Sequence, residues 1–333
     1  MHVDLTVVWA GVIAVAVAMY VVMDGFDLGI GMLFTRFPVG VARDTAMNSI
    51  APVWDGNETW LVLGGGGLMA AFPLAYAVIL PALYAPLIAM LLGLVFRGVA
   101  FEFRWRDPAH RARWDAGFCL GSFVATFAQG VTLGALIQGI RVTGRAYSGG
   151  YWDWISPFSL LTGASLVVGY ALLGACWLIW KTGGPLQAAA RRYAAFLNIG
   201  LLAAIAAVSL YTPFLETQYF RFWFAWPGLA GSLSMPVAVA AIGVWLHRSL
   251  AGRRDGLPFG LTLSLFGISM LGLAISMWPD VVPGRFSIWD AAAPVSSQRF
   301  MLVGAGVLVP VILGYTGWAY WVFRGKVDEA GYH

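Results

Sequence analysis

About nine runs of apolar residues, most of them as long as a hydrocarbon core of about 30 Å requires of a helix, dictate the solvent this chain must fold in. Inside a bilayer every backbone N–H and C=O has to be bonded within its own segment, so such runs become helices. The expected fold is therefore all-α and polytopic. Its spans run approximately over 6–34, 56–72, 74–101, 114–138, 158–181, 196–214, 222–246, 258–278 and 299–323. Composition agrees, since 60% hydrophobic residues and 16 Trp leave too little polar surface for a soluble chain of 333 residues. No loop exceeds about 22 residues, too few for a soluble domain of ordinary size, so residues 1–333 read as one integral membrane domain.

The second run is short, opens on polar residues and carries Gly64 to Gly67, which read as close helix packing. Only the Phe72-Pro73 break separates it from the third, and merging the two gives an eight-span alternative. Charge decides between them. With nine spans, fourteen of the 20 Lys and Arg, from Arg36 and Arg43 to Arg324 and Lys326, fall on one side. Five, namely Arg141, Arg145, Arg221, Arg285 and Arg299, fall on the other, and Arg97 lies within the third span. Eight spans would mix the two groups. By the positive-inside rule the N-terminus faces outward and the C-terminus the cytoplasm. MHVDLTVVWAG has no basic stretch ahead of its apolar run, so it is expected to remain as the first span. Trp and Tyr near the span ends (Trp105, Trp114, Trp177, Trp180, Trp223, Trp226, Trp318, Tyr320, Trp321) match interfacial belts, and Trp54 and Trp60 fit the same reading. A net charge of +4 spread over loops is ordinary for a membrane protein and gives no support to a nucleic-acid partner.

In a chain with only 11% charged residues, the carboxylates at the edges of apolar runs are where function is to be sought. Asp24 and Asp27, in MDGFDLGIG, are three apart and share a helix face near the inner edge of the hydrocarbon. They read either as a proton or cation entrance or as neutralisers of Arg43 or Arg97. Asp55 and Glu58, in WDGNETW, have the spacing of a capping box, and on spacing alone the cap is preferred over a proton relay. Arg97, unpaired at that depth, would be costly; it should snorkel or meet one of the four carboxylates, a quinone or lipid headgroup being the sharper alternative. The histidines are His2, His110, His247 and His333, all at termini, loops or span ends, so no inward-facing pair is expected to hold a haem or metal. Cys119 and Cys176 lie inside apolar runs and read as core residues.

The segments MDGFDLGIGML, NSIAPVWDGNETWLVLGGGGLMAAFPLAYA, FRGVAFEFR, SIWDAA and LVPVILGYTGWAYWVFRGKV, in this order and across nearly the whole chain, resemble subunit II of the cytochrome bd quinol oxidases. The compact loops are similar to those of the cyanide-insensitive branch. The resemblance implies nine helices, as two four-helix bundles plus a peripheral helix, paired in the bacterial inner membrane with a similarly folded subunit I. It implies that the partner holds two b-type haems, haem d and the quinol site, and that the complex reduces O2 to water with protons from the cytoplasm, making a gradient without pumping. It places Asp55 on a proton path shared with subunit I, and Asp24 and Asp27 near its entrance. Glu58 stands where other members have Gln. Some members add a small single-helix subunit or a structural quinone. A chain with intramembrane carboxylates and Gly-broken helices also fits an ion-coupled secondary transporter, the alternative function.

Overall fold

The structure, a computed structural model, describes residues 4–215, 217–224, 226 and 228–327. Thirteen α-helices carry it: α1 Leu5–Leu33, α2 Val41–Asn48, α3 Trp54–Ala71, α4 Pro73–Ala82, α5 Tyr84–Arg106, α6 Arg111–Ile137, α7 Pro157–Lys181, α8 Gly184–Tyr211, α9 Thr217–Phe224, α10 Gly228–Ser249, α11 Leu257–Met277, α12 Ile288–Ala291 and α13 Val295–Val322. Two antiparallel hairpins, β1 Val142–Thr143 with β2 Ala146–Tyr147 and β3 Asp280–Val282 with β4 Phe286–Ser287, close loops at the end opposite the Arg-rich one. Among the described residues seven helices, α1, α5, α6, α7, α8, α11 and α13, are long and apolar enough to cross a membrane by length and composition.

Local sequence sets the helix limits. Asp4 accepts a hydrogen bond from the Thr6 amide at 2.9 Å and caps α1. The helix stops where Pro38 pushes Phe37 into extended backbone (φ −87°, ψ 148°). Ser156 and Ser159 form a reciprocal cap at the start of α7. The expected third span, 74–101, is two helices. Pro86 has no N–H to offer and its ring crowds the carbonyl of Ala82, which breaks the run at Leu83. α4 packs with α12 and the hairpins at the end opposite the Arg-rich one, and the helix of this pair long and apolar enough to cross is α5. The apolar run is continuous through the break, so hydropathy alone merged the two.

α1, α3, α5 and α6 form one four-helix group and α7, α8, α10 and α11 a second; α13 lies outside against α1 and α3 with only Gln298 of its residues buried. Glycines set the spacing at the shared core. A Cβ on Gly29 of α1 would come within 1.8 Å of the Tyr170 carbonyl on α7, and Gly174 of α7 lies against the Gly29 backbone in return. Gly93 of α5 and Gly121 of α6 approach each other in the same way. Gly64 and Gly67 face Val17 and Ile13 of α1, but Gly65 and Gly66 face open space, so only half of that run serves close packing. Cys119 is partly buried and Cys176 buried, and both thiols are free.

The aromatic belt needs correction at three places. Trp60 and Trp177 are buried, Trp177 stacked on Phe26 with centroids 4.1 Å apart, and Tyr320 turns inward to α3. Trp226, Trp318 and Trp321 are exposed.

The tight α1–α7 contact predicts that Gly29→Ala forces the helices apart at a cost of about 1–3 kcal/mol. The purified complex should melt at lower temperature, whereas Gly260→Ala, with nothing within 4 Å of the added methyl, should melt as the parent does.

Candidate functional site

From Met23 to Gly31 every residue of α1 is buried, because α3, α6, α7, α11 and α13 all pack around it. Asp24 and Asp27 fall in this stretch and are 0% exposed. Arg97 of α5, itself 1% exposed, points its guanidinium at them. Its Nη1 donates to Asp24 Oδ1 at 2.8 Å and its Nη2 to Glu58 Oε1, and the group lies 5.5 Å from the Trp54 ring centroid. The two aspartates do not share this partner. Asp27 Oδ2 instead accepts from Asn57 Nδ2 at 2.7 Å, the same amide reaches the Met23 carbonyl at 3.3 Å, and the Tyr320 hydroxyl donates to Asn57 Oδ1 at 2.9 Å. Helices α1, α3, α5 and α13 thus meet at one polar knot.

Three carboxylates cluster near one guanidinium here; Asp27 Oδ1 and Arg97 Nε are buried without a protein partner, and the buried Tyr20 hydroxyl stands beside the Asp24 carboxyl, whose Oδ2 no guanidinium reaches. Glu58, its side chain 29% exposed, is the member that reaches the surface. Asp55, one turn earlier, is exposed and stays outside the knot. The expected capping box is absent: Val53 occupies the cap position of α3 and no side chain bonds the free amides there. The chain enters α3 through a turn that already places Asp55 within the helix, where it can favour the helix dipole but cannot act as N-cap.

A second ionic cluster ties the helix ends at the Arg-rich side. Asp115 takes Arg43 at 2.7 Å and Arg104 at 2.5 Å, and Asp44 takes Arg104 at 2.8 Å and Arg111 at 2.7 Å. Arg43 is therefore engaged away from Asp24 and Asp27. Arg104, counted among the loop charges, is 1% exposed. Sequence reading missed Asn57, Tyr320, Asp44 and Asp115. Asp115, inside the opening of an apolar run, carried the same signal as Asp24; Asn57 and Tyr320 carried none, because an amide beside two acids and a tyrosine near a span end look ordinary.

Among the described residues no group of His, Cys, Asp and Glu is arranged to hold a metal ion. His110 is exposed beside Asp107 and His247 exposed at the end of α10, so neither imidazole fits a haem iron inside the bundle; His2 and His333 lie outside the described residues.

Fold and site together define a polytopic helical membrane protein with an ionisable cluster enclosed among its helices. A family model described as cytochrome bd terminal oxidase subunit II matches residues 5–323. The chain is 32% identical to cytochrome bd-I ubiquinol oxidase subunit 2 of Escherichia coli (strain K12), over 97% of this chain and 95% of that one. It is 30% identical to cytochrome bd ubiquinol oxidase subunit 2 of Bacillus subtilis (strain 168), over 96% of each. Its fold is similar to the bd oxidase structure from Geobacillus thermodenitrificans, with a TM-score of 0.76, 17% identity and coverage of 97% and 99%. The chain belongs to the cytochrome bd terminal oxidase subunit II family. Family membership sets aside the transporter alternative.

Removing one partner of a buried pair leaves an uncompensated charge, typically about 3–5 kcal/mol. Arg97→Leu should therefore lower the yield and melting temperature of the assembled complex sharply. Adding Asp24→Asn to Arg97→Leu should recover part of that loss, which thermal melting of the two variants side by side would measure.

Proposed function

We propose that this chain is the second subunit of a quinol-oxidising, O2-reducing terminal oxidase in which it binds no haem through its own side chains, and that Asp24, Asp27 and Glu58 around Arg97 form part of a proton route from the cytoplasm. The subunit I partner carries the haems, two of b type and haem d, which supply the electron transfer and the O2 chemistry when bound. A small single-helix subunit can join them. The N-terminus is periplasmic and the C-terminus cytoplasmic, as the loop charges favour.

One observation carries the reading. Two carboxylates, Asp24 and Glu58, share one guanidinium, a third, Asp27, is buried beside them on Asn57, and two of the aspartate oxygens have no guanidinium or amide partner. A purely structural ion pair needs one acid per base. The surplus acids have the chemistry to take up and release a proton, and a bilayer offers protons no passage except polar groups and water held in protein. Asp55 collects protons at the exposed start of α3, Glu58 hands them inward, and Asp24 and Asp27 hold them beside Arg97 and Asn57. The guanidinium orients Asp24 and Glu58. Both Nη atoms of Arg97 turn to carboxylates, and a structural quinone is not assigned to it.

Conservative variants in the whole complex test this. Asp24→Asn should assemble with unchanged haem content and lose about tenfold or more in O2 reduction, within the usual range for removing a proton-transfer group, and Glu58→Gln, which brings in the residue other members carry, should assemble likewise and lose about twofold. Unchanged turnover in both would overturn the proton route. Asp55→Asn and Asp55→Ala should slow turnover equally and leave assembly intact, because no helix cap is lost with either. His110→Ala and His247→Ala should leave the haem spectrum as it is.

A further inference from the structure

One stripe of α6 is polar in a helix otherwise packed with apolar and small residues. Cys119, Ser122, Thr126 and Gln129 follow each other at spacings of three, four and three, which keeps them on one face. Ser122 and Thr126 are 0% exposed. A serine or threonine inside a helix ordinarily bonds the carbonyl one turn back, and Thr132, Ser165 and Thr262 of this chain do so. Ser122 and Thr126 do not: both hydroxyls are buried without a protein partner, and so is Gln129 Oε1.

The stripe faces α1. A Cβ on Gly31 would meet Ser122 Oγ, which places the lower end of the stripe beside the end of the buried stretch of α1. At the upper end Gln129 Nε2 donates to the Tyr170 hydroxyl at 2.9 Å, and the Tyr170 ring packs against Gly25, the residue after Asp24. Tyr20 stands one turn further along α1, its buried hydroxyl beside the Asp24 carboxyl. From Gly31 to Tyr20 is about 16 Å of helix rise. Along that length lie three buried oxygens without protein partners, Ser122 Oγ, Thr126 Oγ1 and Gln129 Oε1, and beyond them the Tyr20 hydroxyl beside the Asp24 carboxyl. Below it, Cys119 Sγ lies 3.6 Å from Thr35 Oγ1, and Thr35 is exposed at the Arg-rich end.

A buried polar atom with nothing to bond is costly, and buried water is how proteins satisfy such groups. We propose that α1, α6 and α7 enclose a file of bound water along this stripe, and that it gives Asp24 a second proton connection to the cytoplasmic end, inside this subunit and independent of Glu58. Each transfer moves a proton from water to water or between water and the Asp24 carboxyl, so no other reactant is needed. Ser122, Thr126 and Gln129 are positioning residues for that water. The inference rests on the proton-route reading above, and the tests separate the two.

Thr126→Val keeps the shape and removes the hydroxyl; Gln129→Leu removes the amide. In the assembled oxidase each should slow O2 reduction and proton uptake, followed with a pH indicator, by about twofold alone. In the Glu58→Gln background each should remove most of the remaining turnover, a loss larger than the product of the single effects, because both connections are then closed. Thr126→Ser should restore the rate. Haem content and quinol reduction of the haems without O2 should be unchanged throughout, which a packing defect would not leave intact. Strictly multiplicative effects, or stripe variants without effect while Asp24→Asn slows turnover, would overturn the water file and leave the proton route standing. No effect of Asp24→Asn itself would remove the route on which it rests. Should Gln129→Leu fail to assemble, a map of the parent complex fine enough to show water decides the matter: density beside Thr126 Oγ1 and Ser122 Oγ is expected, and a dry stripe refutes it.

Discussion

The pairing of Arg97 with Asp24 and Glu58 is the constraint from which much of this structure follows. A guanidinium placed at membrane depth is tolerable only with countercharge and hydrogen bonds around it. Meeting that demand fixes three helices relative to one another, α5 through Arg97, α1 through Asp24 and α3 through Glu58. The Asn57 bridge between Asp27 and Tyr320 extends the same tie to α13, a helix that buries almost nothing of its own. Apolar packing cannot do this in lipid, where a leucine gains little by leaving one hydrocarbon for another, so polar contacts and close backbones must set the geometry.

Close backbones come from glycine, and the two devices are placed together. Gly25 and Gly29 interleave with Asp24 and Asp27 on α1, so α7 comes near on one side of the helix while the acids turn to α3 and α5 on the other. The result is a central helix enclosed along nine residues, with Tyr170 seated on Gly25 and Trp177 stacked on Phe26. The acids are thereby sealed from lipid without a large soluble domain to cover them. At the Arg-rich end the Arg43, Arg104 and Arg111 cluster with Asp44 and Asp115 holds the tips of α2, α5 and α6 in register.

Much of this was legible in the sequence, and the failures have physical causes. Continuous apolar length announces a crossing helix, and seven of the nine expected runs contain one among the described residues; it cannot show that α3, over 56–72, falls short of that length and apolarity or that Pro86 divides 74–101 into α4 and α5. Acids in apolar runs announce polar contacts inside the bundle, and Asp24 and Asp27 are buried in such a cluster. Spacing could not say which base each would meet, because that depends on helix neighbours: Arg43, near in sequence, went to Asp115, while Arg97, 73 residues from Asp24, closed the pair. Spacing also suggested a cap for Asp55 and Glu58, but a cap needs the chain to enter the helix at that residue, and it enters earlier, at Val53. Trp60, Trp177 and Tyr320 read as belt residues because indole and phenol suit the interface, yet the same rings fill a core equally well once a polar partner is at hand.

Energetics separates the two ionic clusters. Well-packed apolar residues often replace a buried ion pair at no loss of stability, so stability alone is weak reason for a chain to keep one. The Arg-rich cluster is nearly balanced, three guanidinium groups to two carboxylates, sits at the helix ends and has an evident mechanical task. The inner one is unbalanced in the opposite sense, with three acids to one base and Asp27 Oδ1 left free. Excess acid adds desolvation cost without adding a tie, since Asp27 could be an amide and still hold Asn57. What distinguishes a carboxyl from an amide at that position is the proton it can carry, and that is the property a subunit of an oxygen-reducing enzyme can use there.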